Sequence, residues 1–118
     1  MRIFQKGSKV NFVDEMDVVV GYDCIQASCG EDPDWFLHGH VADTEGDKTL
    51  DVEGYNFDVG FFVERTWRAL DEGEAVTFRL AKPEAKDVFL TIYNAHNGYY
   101  AHDFTVSVGD KQTREGCL

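Results

Sequence analysis

Residues 93–104 read YNAHNGYYAHDF and put two imidazoles and three phenols within twelve positions. His96 and His102 supply imidazoles, which can donate and accept protons. Tyr99 and its neighbours offer hydroxyls that donate and accept. Such a set can move a proton or contact a ligand. It can equally line a turn, because Asn97-Gly98 between two strand-like runs is a strong hairpin signal. Two registers fit. A two-residue turn sets Tyr93 opposite His102, and a three-residue turn with a bulge sets Ile92 opposite it. In both, Tyr100, His102, Phe104, Val106 and Val108 share one face, expected to point inward.

A second set suggests metal. His38 and His40 lie two apart on an expected strand, so both rings would project from one face. Cys24 and Cys29 stand upstream with four residues between them. Thiolate and imidazole are the ligands zinc prefers, and a Cys24, Cys29, His38, His40 site is the candidate. The single residue between the two histidines is short for a finger. Two buried thiols and two strand-edge histidines account for the same residues. Calcium is the other candidate cation. DTEGDKTLDVEG (43–54) alternates carboxylates but has Lys48 where an EF-hand loop needs glycine and Gly54 where it needs glutamate.

No G-x-S-x-G nucleophile turn and no glycine-rich phosphate loop occurs. No pairing motif joins a carboxylate to a histidine. The sequence therefore points away from an enzyme, without deciding the matter.

Charge supplies the strongest compositional signal. The chain of 118 residues carries 22 acids against 11 bases, a net −11. Residues 31–58 hold nine of those acids and one base, Lys48. Direct contact with nucleic-acid phosphates, which needs clustered Lys and Arg, is not expected. A basic protein partner is, with Glu45, Asp47 and Asp51 steering it and Trp35, His96, Tyr99 and His102 as contacts. A phage-type inhibitor that mimics the charge of DNA is a special case. The metal site, structural or catalytic, with zinc or calcium, is the alternative. Use of an open sheet edge in a homo-oligomer or a larger assembly is a third reading.

These residues need strands to position them. KVNFV (9–13), VVVGY (18–22), WFLHGHV (35–41), EAVTFRL (74–80), VFLTIYN (88–94) and YYAHDFTVSV (99–108) are rich in β-branched and aromatic residues. LDVEGYNFDVGFFVE (50–64) alternates apolar and polar, with a break of phase at Gly54 that predicts a bulge or bend. RTWRALDEG (65–73) is the one candidate helix, a short one. The expectation is a mainly β fold, an antiparallel β-sandwich or rolled sheet. Residues 1–110 would form one domain and residues 111–118 a flexible tail. Apolar residues make up 43% of the chain, enough for a core. No stretch approaches the roughly 18 apolar residues of a membrane helix. No signal peptide is visible, and three cysteines, an odd number, suit a reducing cytosol.

KVNFVDEMDVVVGYDCIQASCGEDPDWFL and IYNAHNGYYAHDF resemble a set of small bacterial and phage-associated proteins of unknown function. They share the H-N-G-Y-Y-x-H-x-F block. The resemblance implies one compact domain and supplies no mechanism. It also implies that the Asp23–Phe36 loop and the 96–104 hairpin form one signature, with Cys29, Trp35, His96, Tyr99 and His102 as pocket candidates.

Overall fold

The computed structural model describes residues 1–23, 32–41, 43, 45–66, 73–95, 103–109 and 111–117. These form nine strands: β1 (Arg2–Lys6), β2 (Lys9–Val13), β3 (Val18–Asp23), β4 (Asp32–His38), β5 (Asn56–Thr66), β6 (Gly73–Ala81), β7 (Val88–Ala95), β8 (Asp103–Val108) and β9 (Lys111–Cys117). They build two antiparallel sheets, ordered β1-β2-β3-β8-β9 and β4-β7-β6-β5. The fold is a β-sandwich, as the alternating sequence predicts. Its radius of gyration of 13.7 Å matches the 13 to 14 Å or so of one compact domain this long.

The core lies between the sheets. Phe12, Val18, Val20, Tyr22, Phe104 and Val106 bury from one side, and Leu37, Val76, Phe78, Leu80, Leu90 and Ile92 from the other. Each set follows the two-residue period of its strands. Asp14 ties the sheets together at the β2–β3 turn. Its Oδ1 accepts the N–H groups of Met16 and Val18, both at 2.9 Å, and its Oδ2 accepts the N–H of Phe57 at 2.8 Å. This buried carboxylate thus satisfies three backbone donors, two in its own turn and one on β5.

Several expectations are corrected. β7 and β8 do not form a hairpin. β7 pairs with β4 on one side and β6 on the other, while β8 pairs with β3 and β9 in the opposite sheet. β7 has no free edge for β8, so neither register across Asn97-Gly98 applies. The inward face of β8 holds for Phe104 and Val106. Residues 111–117 are strand β9 instead of a tail, and β1 was not anticipated. The stretch 50–55 is a loop: Gly54, at φ +79°, sits in the turn closed by the Tyr55 N–H on the Val52 carbonyl. The bulge lies further on, where the β5 register shifts between Phe57 and Phe62. Arg65 and Thr66 continue β5 and Gly73 opens β6, so the helix expected over 65–73 is absent from its described part. Residues 67–72 lie outside the described residues. Among the described residues no helix is long and apolar enough to cross a membrane.

Candidate functional site

The first candidate metal ligand is buried in a different network. β4 ends at His38, so His40 lies beyond the strand and the two rings do not share a face. The His38 ring is 2% exposed. Its Nδ1 lies 2.7 Å from the His40 carbonyl oxygen and its Nε2 lies 2.7 Å from Thr91 Oγ1. A carbonyl only accepts, so Nδ1 carries a proton. In the neutral ring Nε2 then accepts from the Thr91 hydroxyl. Thr91 Oγ1 is also 2.7 Å from Thr77 Oγ1, which donates to it in turn. Both threonines are fully buried. The chain runs along the face of the four-stranded sheet away from the main core. Phe36, Phe89 and Tyr93 wall it, with Phe36 and Phe89 rings 4.9 and 5.8 Å from the imidazole. Both ring nitrogens are engaged and the hydroxyls are out of reach of solvent. The arrangement fixes a tautomer and pins β4, β7 and β6 together. A nucleophile here would have no access to substrate.

His40 is exposed, and its backbone N–H donates to Asp43 Oδ2. Among the described residues no three or more His, Cys, Asp and Glu side chains could together hold a metal ion. Cys24 and Cys29 lie outside the described residues, as do His96, Tyr99 and His102. What flanks them is described. Asp32 pairs with Ala95, and Tyr22 with Phe104, so the two segments of the expected signature leave from and return to adjacent strand ends.

The acidic loop is built in detail. Gly46 presses on β4: a Cβ there would stand 2.0 Å from the Leu37 carbonyl oxygen and 2.7 Å from the Phe36 ring. Only glycine permits that approach. The Asp47 N–H then donates to the Leu37 carbonyl at 2.8 Å. Lys48, the sole base of residues 31–58, lies along the surface against β4. Its ammonium pairs with Asp34 and sits 5.1 Å from the centre of the Trp35 ring. Trp35 itself is half-buried and packs edge-on against Phe12 at 5.1 Å. It wedges between the sheets, with only part of the ring left for a contact at the surface.

The remaining charges face water. Glu45, Asp47, Asp51 and Glu53 are all exposed. Asp47 Oδ1 accepts the Thr49 hydroxyl at 2.6 Å and the Thr49 N–H at 2.7 Å. These bonds, the hydroxyl first, hold the Asp47 carboxyl below the usual carboxylate range. Asp51 Oδ1 accepts the Glu53 N–H. Both aspartate carboxylates are bent onto neighbouring backbone N–H groups, in contrast to the convergent cage that calcium needs. Leu50, 40% exposed, stands among them.

No family model, curated protein or solved structure matches this chain.

The sequence marks Glu45, Asp47 and Asp51 as steering acids but puts Asp51 on an alternating strand, whereas the structure sets all three on one exposed loop with Glu53. Leu50, Thr77 and Thr91 were missed. A threonine in the middle of the apolar runs VTF and LTI was the available signal for the buried chain, since a hydroxyl there needs a partner. Nothing in the sequence announced that Lys48 would pair with Asp34 and lie over Trp35.

Proposed function

We propose that this domain is a non-catalytic binding module that docks a basic protein surface through the acidic segment 31–58. Within that segment the loop 45–53 is the contact proposed. The observation that carries the reading is the loop's one-sided charge. Its four exposed carboxylates lie on a backbone held by turn hydrogen bonds, while its only cation is spent against Asp34 and Trp35. Such a loop presents negative charge without first being ordered, so it steers a cationic partner at low entropic cost. Leu50 supplies an apolar contact inside the charged rim, the usual arrangement of an interface centre. A nucleic-acid-binding protein, whose basic face this loop would occupy in place of phosphate, falls within the proposed class. The odd number of cysteines supports a cytosolic setting.

Asp47 and Asp51 also cap turns, so reversing them alters loop shape as well as charge. Glu45→Lys with Glu53→Lys changes charge and leaves both caps in place. Pull-down from host lysate should return a basic protein with wild type and lose it with this double variant. The affinity of that protein should fall steeply with added salt for wild type and weakly for the variant. Equal retention by both forms would remove the reading.

A further inference from the structure

The sandwich holds a second feature, independent of the acidic loop and at the far edge of the four-stranded sheet. Between β5 and the β8–β9 edge the sheets part around a cavity of about 210 Å³. Val18, Val20 and Val106 wall it on one side, and Phe57, Phe62 and Phe78 on the other. The β5 bulge opens its mouth. Phe57 pairs with Leu80 but Phe62 pairs with Phe78, so three extra β5 residues are accommodated between them. There Val59 is 60% exposed, and Val108 across the mouth is 38% exposed.

Two charged side chains line this cleft, Asp58 at the rim and Arg114. Arg114 is the ladder partner of Val106, whose side chain is buried in the cleft wall, so Arg114 projects from β9 toward the same face. Its guanidinium carbon stands 4.0 Å from the centre of the Phe62 ring. The ring fixes the guanidinium by its flat face and leaves the in-plane N–H fork unused. Among the described residues no carboxylate pairs with it. Glu115 bonds to Gln112, and Asp58, at the rim, is held by Arg79 at 2.9 Å, itself also bound to Asp87. A preset cation over an apolar cleft, in a chain of net charge −11, is an unusual use of charge.

The geometry points to a binding site for a small monocarboxylate. An apolar body of one aromatic ring or a short acyl chain would enter between Val106 and Phe62, with the carboxylate paired two-pronged to Arg114. Size supports that class. Cavities of roughly 150 Å³ take benzene, whereas drug-sized ligands need about 300 Å³ or more. The site needs no contribution from residues 45–53 and stands or falls separately from the protein-docking proposal.

The probe is 3-phenylpropionate, titrated into the 118-residue chain and followed by amide NMR shifts, with 3-phenylpropanol as the uncharged control. We expect saturation with a Kd on the order of 1 mM, as suits so small a ligand. Shifts should concentrate at residues 57–62 and 106–114. The alcohol, and the acid with Arg114→Gln, should each bind about tenfold or more weakly. Arg114 is exposed, so the variant is expected to fold, and unchanged amide shifts elsewhere would verify this. Val59→Glu, at the mouth, should weaken the acid and spare the alcohol. Failure to saturate, or equal binding of acid by wild type and Arg114→Gln, overturns the proposal. Arg114 would then be an inward charge that guards a sheet edge against strand addition.

Discussion

The two lateral sides of this sandwich are finished differently. On the β4 side, Trp35 wedges against Phe12, Lys48 lies over Trp35 and pairs with Asp34, and Gly46 lets the loop lie directly on the strand. On the β5 side, the edge strand bows out and the sheets part around Phe62 and Val106. Closing a side takes an extra segment of chain with residues small enough to approach and charges that neutralise each other. The β4 side has these. The β5 side has a bulge and a cation without a carboxylate partner among the described residues. The β5 side is tied to the five-stranded sheet by the Asp14 carboxylate, which binds the β2–β3 turn to Phe57.

The largest effect should come from that joint. Asp14→Ala leaves three backbone N–H groups without their acceptor, two of them buried contacts. A cost of about 3 kcal/mol or more is expected in urea unfolding, because each lost bond had a charged acceptor. The β5 end of the cleft would lose its anchor at the same time. A loss below about 1 kcal/mol would show that this carboxylate does not brace the β5 side.

A smaller contrast tests the sides directly. Gly46→Ala drives a methyl into the Leu37 carbonyl, so the loop must lift from β4. This should cost about 1–3 kcal/mol, as overpacking does. Gly60→Ala, on the bulge, meets only the Asp58 carboxylate at 3.4 Å. It should change stability by less than about 0.5 kcal/mol. Equal costs would mean that the β5 side is as tightly fitted as the β4 side.

Much of the frame was legible because burial writes a period of two into the strands that carry it. β2, β3, β6 and β7 match their sequence readings to within a residue at each end. β1 and β9 escaped notice because they are edge strands. RIFQK and KQTREGC are almost wholly exposed along their described side chains, so no apolar alternation marks them. The Asn97-Gly98 signal misled for a different reason. A turn signal is local, whereas the pairing of β7 was decided by β4 and β6, which occupy both of its edges. The exposed acids were legible from composition. The sites were less so, because their decisive contacts join distant residues. Lys48 meets Asp34 fourteen positions away, and His38 meets Thr91 fifty-three away. Arg114 reaches the cleft only because β9 pairs with β8.

The smallest effect probes how firmly the β4-side loop is held at its exposed end. Asp47 is fully exposed, and its lowered pKa arises from the Thr49 hydroxyl first and the Thr49 N–H second. A carboxyl whose folded pKa is depressed favours the folded loop above its unfolded pKa of about 3.9. That contribution fades as pH falls through the folded value. Thr49→Val removes the hydroxyl and keeps the N–H. The Asp47 midpoint, followed by carboxyl carbon NMR, should therefore rise toward the ordinary value without reaching it, and the melting temperature at neutral pH, where the contribution is fully present, should fall only slightly. If the midpoint is the same in both proteins, Thr49 does not order this turn. The closed side would then owe its shape to Gly46 and Lys48 alone, and the carboxylates beyond them would meet a partner as a loose fringe. If the midpoint rises as expected, the turn extends the ordered surface out to the charges themselves, which is what docking without prior ordering requires.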